Sequence, residues 1–284
     1  MRNVLERPGE APVTLALALA YVTCAFLTGP VEPDPERLFA YGMLRPLDAA
    51  SGEPWRLLSC AFLHGGIVHL GFNTFALAWI GPMIEKSIGS ARFALLYAVS
   101  ALGGSIAFCL WNAPWQSVVG GSGALFGMMG SAVALNMRAG RHIFSFLAYE
   151  GPRALLSLIA VNLVLGWMMP MVSNTCHIGG LLSGFLLTFF FLQGPREGVT
   201  TRGAALRAAI ALLFVSCAAY CIRPVARWDW LLSAWHEADP GPARDALKRA
   251  YMLSAAGDPD AEASEEDLEA DFRELQKIRS TYRR

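Results

Sequence analysis

Gly120-Gly121-Ser122-Gly123-Ala124-Leu125-Phe126-Gly127 opens a helix-length apolar stretch, and Asn174-Thr175-Cys176-His177-Ile178-Gly179-Gly180 opens a later one. A serine and a histidine are ordinary in water. Inside hydrocarbon both are costly to bury, and polar groups at membrane depth tend to mark a function. Whether these stretches lie in a membrane therefore decides both the fold and the chemistry.

Composition says that they do. Of the 284 residues, 54% are hydrophobic and 16% charged, and the mean hydropathy is positive. About 20 predominantly apolar residues make one spanning helix. Apolar runs recur at roughly 12–28, 66–83, 93–111, 122–137, 154–171, 175–193 and 204–222, so an all-α polytopic membrane protein with seven spans is expected. Pro30, Gly89, the stretch from Trp111 to Trp115, Gly140, Pro170 and Gly194-Pro195 punctuate the runs. Several runs carry Gly or Asn, which suits helices facing protein or a water-filled cavity rather than lipid. Zero net charge gives no electrostatic case for a nucleic-acid partner. The six cysteines have no CxxC spacing and read as free thiols: Cys24, Cys109, Cys217 and Cys221 fall inside apolar runs, and Cys60 and Cys176 near helix ends on one side.

Basic residues set the orientation. Arg2 and Arg7, Lys86 and Arg92, Arg138, Arg141 and Arg153, then Arg196, Arg202 and Arg207 occupy alternate connections, which places the N-terminus in the cytoplasm. Arg2 and Arg7 before an apolar run also resemble the start of a signal peptide, but no small-residue cleavage site follows, so an uncleaved first helix is expected. The long outer connection from Pro30 to Leu63 carries Trp55 beside Arg56, which read as an interfacial anchor pair. Arg223 and Arg227 just beyond span seven run against the charge rule, making it the weakest of the seven. Beyond it a soluble charged tail is expected, with short helices at 242–255 and 263–283 separated by Gly257-Asp258-Pro259 and with no catalytic pattern. Any partner of this tail is unknown.

The topology gathers the polar residues. Spans two, four and six all start on the outer side, and they begin with His64, His69 and Asn73, with Ser122, and with His177. A serine at a helix N-terminus has free backbone N–H groups and the positive end of the helix dipole beside it, an arrangement that can hold an oxyanion next to close-approaching glycines. His177 is placed to take the hydroxyl proton and return it to a leaving amine. His69 and Asn73 share one helix face at i, i+4 and can both donate hydrogen bonds. Gly123 with Gly127, and Gly180 with Gly184, are two GxxxG pairs that bring helices together. Phe126, one turn beyond Ser122, is placed to pack on the imidazole. Between Trp55 and Pro195 the only carboxylates are Glu85 and Glu150, both at cytoplasmic ends, so a dyad is expected rather than a Ser–His–Asp triad.

Plainer readings compete. A glycine-flanked serine in a membrane helix is more often a packing residue, and a lone histidine at a helix end is usually an interfacial polar group. His64, His69 and His177 can be written as metal ligands, but HExxH and a nearby acid are lacking, so no metal is expected. Cys176 is an alternative nucleophile, yet neighbours on a helix point different ways.

With these residues in place the chain resembles the rhomboid intramembrane serine proteases. The likeness rests on Trp55-Arg56, on His64…His69…Asn73, on Glu85-Lys86 with Gly89, on Gly120-Gly121-Ser122-Gly123 with Phe126-Gly127, and on His177-Ile178-Gly179-Gly180 with Gly184 preceded by Asn174. It covers about residues 50–190, departing at Gly121, where alanine is common, and at Phe126, where tyrosine often sits. The resemblance implies a six-helix core, Ser122 as nucleophile and His177 as base, with an oxyanion hole from His69, Asn73 and the Ser122 N–H. His64 is implied to be structural. Transmembrane proteins cleaved near their outer ends are the implied substrates, and no cofactor is implied. The expected organisation is then a cytoplasmic tail at 1–11, a rhomboid protease core at 12–195, a linker and seventh helix at 196–222 and a soluble helical tail at 223–284, in the inner membrane of a bacterium. Two other function classes are carried: a non-catalytic rhomboid-like binder of membrane helices, and a transporter, which is poorer because the polar groups sit towards one face.

Overall fold

The computed structural model describes residues 10–29, 31–50, 53–112, 116–138, 150–168, 172–192, 201–222, 225–241, 244–245, 247–249, 251–252 and 264–282. The described secondary structure is helical apart from one isolated bridge, Leu44 to Val118. The protein is an all-α, multi-pass membrane protein.

The first helix, α1, runs Pro12–Thr28, with proline in its first turn, where no N–H is needed. Its N-terminus lacks a local cap. Glu85 supplies one from across the chain, accepting from the backbone N–H groups of Val13 at 3.0 Å and Thr14 at 2.8 Å and from the Thr14 hydroxyl at 2.7 Å. Ser90 donates to the same carboxylate at 2.7 Å, so this buried acid ties three helix ends together far from the serine.

The connection after α1 carries secondary structure among its described residues. It folds as α2 (Pro35–Ala40), α3 (Pro46–Ala50) and α4 (Arg56–Ser59), followed by a tight turn at Cys60–Phe62. Arg56 corrects the anchor reading. Trp55 is half exposed, as an interface residue should be, but Arg56 is buried; it donates to the carbonyls of Phe39 at 2.6 Å and Met43 at 3.0 Å and pairs with Glu53. It also lies against the Phe39 and Trp55 rings. Arg56 thus adds a donor to the Phe39 carbonyl, which also accepts from the Gly42 N–H at 3.1 Å, and supplies one to the Met43 carbonyl.

Helix α5 (Ile67–Ile88) passes through Pro82 without stopping and ends at Gly89. It is longer than the 66–83 run because the helix resumes its pattern beyond the proline. Gly89, at φ +86°, ends α5 and starts α6 (Ser90–Trp111), a tight reversal that glycine tolerates at no steric cost. Helices α7 (Ser122–Arg138), α8 (Glu150–Met168) and α9 (Asn174–Leu186) follow, with α9 widening into a π turn over Leu187–Phe191. Then come α10 (Thr201–Ile222), α11 (Val225–Glu237) and α12 (Glu265–Tyr282). Each of the seven runs read as spans carries a helix among its described residues. Four of them, Ile67–Ile88, Ser90–Trp111, Asn174–Phe191 and Ala204–Ile222, are long and apolar enough to cross a membrane, and Pro12–Thr28 is a shorter apolar helix.

Beyond the spans, α12 matches the expected 263–283 helix closely. Of 242–255, the described residues 244–245, 247–249 and 251–252 are helical, and the Gly257-Asp258-Pro259 break lies outside the described residues. Helix α11 was not foreseen. It packs Leu231, Leu232 and Trp235 with Tyr251, Met252 and Leu268 into a small core of its own. The Leu231–Trp235 spacing at i, i+4 was the available signal. Both α10 and α11 touch α3, and the Cys221 thiol near the end of α10 reaches the Ile106 carbonyl near the end of α6 at 3.8 Å.

Candidate active site

The site is assembled where α6, α7 and α9 touch backbone to backbone. A Cβ added to Gly180 would lie 1.9 Å from the Gly123 carbonyl oxygen, and one on Gly184 would lie 2.1 Å from that of Gly127. One on Gly179 would meet the Gly103 carbonyl at 2.5 Å. No side chain fits at these crossings, so the glycines fix the depth of α9 against both neighbours. With that register set, the start of α9 meets the start of α7.

Ser122 is the first residue of α7, so its N–H is among those with no partner within the helix. His177 lies in the first turns of α9, whose N-terminus is capped by the Ser173 hydroxyl accepting from the Cys176 N–H at 3.2 Å. His177 Nε2 and Ser122 Oγ are 2.9 Å apart. The His177 ring is stacked on Phe126, with centroids 4.2 Å apart and planes 7° from parallel. Nδ1 of His177 is buried with no hydrogen-bond partner, so the Phe126 stack and the Ser122 contact orient the ring. Three described carboxylates are engaged elsewhere: Glu85 at the opposite end of α5, Asp48 on Arg45 and Glu53 on Arg56.

His69 and Asn73 come from α5. The His69 ring lies over Gly120: a Cβ on that glycine would sit 2.6 Å from Cε1 and 2.7 Å from Nε2. Gly120 also has φ +126°, so glycine is required there twice over. Its N–H donates to the Cys60 carbonyl at 2.9 Å, pinning the loop before Ser122 to the turn that precedes α5. Nδ1 of His69 accepts from the Gly65 N–H at 3.3 Å, which puts the ring proton of the neutral imidazole on Nε2, the nitrogen facing Gly120. Asn73 is buried and gives one amide hydrogen to the His69 carbonyl at 2.9 Å, keeping a second. His64 is buried away from the pair, edge-on to Tyr21 with centroids at 4.7 Å and to His69 at 5.2 Å.

Each residue singled out in the sequence therefore falls in this region: Ser122, His177, His69, Gly120, Gly121, Gly123 and Phe126 at its centre, Asn73 and His64 beside it, Gly180 and Gly184 beneath it as spacers. Cys176 faces Gly104 and Gly123 instead, so it packs between helices. Among the described residues no group of three His, Cys, Asp or Glu side chains is arranged to hold a metal ion. Ser173 and Asn112 were overlooked; Asn112 donates to Thr175 Oγ1 at 2.6 Å and joins the end of α6 to the start of α9. A serine three residues before Cys176 was the legible cap signal.

Comparison with known proteins agrees with this architecture. The Rhomboid domain model matches residues 51–194. The chain belongs to the rhomboid family. It is 38% identical over 177 residues to RHOMBOID-like protein 5 of Arabidopsis thaliana, covering 61% of this chain and 54% of that one. To Rhomboid protease GluP of Bacillus subtilis it is 41% identical over 180 residues, or 63% of this chain and 33% of GluP. To the putative rhomboid protease YdcA of the same bacterium it is 34% identical over 147 residues, or 52% and 72% of the two chains. The chain spans about half or less of the length of the plant relatives RHOMBOID-like proteins 5, 1 and 2.

Proposed function

We propose that the protein is an intramembrane serine endopeptidase working through a Ser122–His177 dyad. The observation that carries this reading is the 2.9 Å approach of His177 Nε2 to Ser122 Oγ at the N-terminus of α7. Similarity to two bacterial proteins named as proteases supports it. Ser122 Oγ attacks the scissile carbonyl while Nε2 of His177 takes its proton. The oxygen of the tetrahedral adduct becomes negative and is held by the Ser122 N–H, His69 Nε2–H and the second Asn73 amide hydrogen. The adduct collapses as His177 passes the proton to the leaving amine, which frees one product and leaves an ester on Ser122. Water, deprotonated by His177, hydrolyses the ester and regenerates the serine.

The substrates in this reading are transmembrane proteins, cut near the outer face of the membrane. Peptide groups in an intact helix are hydrogen-bonded to one another, so the substrate unwinds locally before attack. The further elements of the proposal are a bacterial inner membrane, a cytoplasmic N-terminus, a protease core over 12–195, a seventh crossing within 196–222 and a tail over 223–284 on the same side as Ser122. The contacts of α10 and α11 with α3 support that last placement.

Cleavage of a model transmembrane substrate in liposomes tests the enzyme. Wild type is expected to cut, and Ser122→Ala and His177→Ala each to fall by at least about a thousandfold. A serine-reactive fluorophosphonate should label wild type and not Ser122→Ala. Equal cleavage by all three proteins, or labelling that survives Ser122→Ala, would sink the dyad; a wild type that neither cleaves nor labels would leave the binder of membrane helices as the better account.

A further inference from the structure

Gly121 stands next to the nucleophile, yet its backbone does not call for a glycine. Among the described glycines its φ is not one of the positive ones, whereas that of Gly120 is. The constraint on Gly121 is steric and comes from one residue. A Cβ there would sit 1.8 Å from the hydroxyl oxygen of Tyr21, 2.4 Å from Cζ and 3.1 Å from Cε2. Tyr21 projects from the middle of α1, a helix that contributes none of the groups assigned to the reaction, and it is fully buried.

The Tyr21 hydroxyl is held in place. It lies 3.0 Å from the hydroxyl of Tyr97, which donates to the Ala61 carbonyl at 3.2 Å. Each phenol has one proton, so Tyr21 donates to Tyr97 and Tyr97 to Ala61. Ala61 follows Cys60, whose carbonyl binds the Gly120 N–H. On its other side the Tyr21 ring meets His64 edge-on, and His64 meets His69 edge-on. One side chain thus touches the loop that delivers Ser122 and, through His64, the imidazole that overlies Gly120.

We propose that Tyr21 is a positioning residue for the Ser122 loop, and that residue 121 is a glycine because Tyr21 occupies the space of its side chain. The phenol acts as a stop that sets how far Gly121, and with it the Ser122 N–H, sits from His69. This inference rests on the reading of Ser122 as nucleophile.

A double-mutant cycle tests it, reading kcat and KM on the liposome substrate, the rate of fluorophosphonate labelling of Ser122, and Tm. Gly121→Ala alone is expected to lower kcat and the labelling rate by about a hundredfold, the scale of a misplacement near 1 Å. Tyr21→Phe keeps the ring, so it lowers kcat by about tenfold with KM unchanged, and Gly121→Ala remains as harmful in that background. Tyr21→Leu shortens the side chain. In its background, adding Gly121→Ala changes kcat by less than about threefold, a departure from additivity that marks direct contact. Tyr21→Met, an unbranched filler, is the second variant should Tyr21→Leu fail to fold. The same factor for Gly121→Ala in every background, or a Gly121→Ala protein as active as wild type, overturns the proposal. So does a set of variants whose Tm falls while the labelling rate of the folded protein stays unchanged, because that describes packing without positioning. Failure of the protease reading looks different: wild type itself would neither label nor cleave.

Discussion

Helices α6 and α10 are both apolar 22-residue helices, yet they live in different surroundings. Most of the apolar length of α6 is buried inside the protein; almost none of that of α10 is. The two helices are equally apolar, so apolarity alone does not say which belongs to the working core. Glycine and serine do. Helix α6 carries Gly103 and Gly104, at each of which a Cβ would come within 3 Å of α9, and α10 presents Leu206, Leu212, Leu213 and Val215 outward. Lipid tails are as apolar as leucine, so an outward leucine gains nothing by packing, whereas a glycine seam permits the backbone approach that a catalytic crossing needs.

Outside the dyad itself, the largest effect should therefore come from one methyl group on the seam. Gly180→Ala places a Cβ 1.9 Å from a backbone oxygen and 2.7 Å from its carbon, and backbone cannot swing away as a side chain can. Separation of α7 from α9 breaks the Ser122–His177 contact, so cleavage should fall by more than about a hundredfold, with overpacking lowering stability by about 1–3 kcal/mol. Leu212→Ala on exposed α10 removes far more volume and should change stability by less than about 0.5 kcal/mol. Tm and liposome cleavage on the two variants decide the matter. A Gly180→Ala protein that behaves like Leu212→Ala would abolish the distinction between seam and lipid face.

A smaller effect is expected one layer above the seam. His177 has no acceptor for Nδ1 and is held by the Phe126 face. Phe126→Leu keeps most of the volume but removes the flat surface, so the ring samples orientations in which Nε2 misses Ser122. A drop in kcat of about tenfold, with KM little changed, is expected. Unchanged kcat would mean that the imidazole is positioned by something other than the stack.

The seven runs, their approximate limits and the gathering of Ser122, His177, His69 and Asn73 were legible in the sequence, because hydropathy and basic connections report directly on the membrane. The contribution of α1 was not. Tyr21 sits in a run with no polar pattern, and only the folded chain brings its hydroxyl onto Gly121. Arg56 was misjudged for a related reason. An Arg beside a Trp is usually wet, and nothing local reveals that its guanidinium turns inward to the carbonyls of Phe39 and Met43. Helix α11 was missed because its charged flanks hide a short apolar stripe whose partners, Tyr251, Met252 and Leu268, lie well along the chain.

The smallest effect separates the two ways in which this protein caps a helix. The start of α1 is closed by Glu85, 71 residues from Thr14, and so depends on the tertiary fold. The start of α12 is closed locally: Ser264 Oγ accepts from the Asp267 N–H at 3.2 Å, while Asp267 accepts from the Ser264 N–H at 2.9 Å and from its hydroxyl at 2.7 Å. Those hydrogen bonds hold the Asp267 carboxyl below its ordinary value of 3.8. A carboxyl whose folded value is depressed contributes its stability above the unfolded value and loses it as pH falls through the folded one. The helical signal of α12 should accordingly weaken below about pH 3.8, and Ser264→Ala should flatten that dependence while leaving cleavage at neutral pH untouched. Circular dichroism of wild type and Ser264→Ala between pH 5 and 2 gives the comparison. If both proteins lose the same signal over the same range, α12 is held by its packing on α11, and the cap contributes nothing that acid can remove.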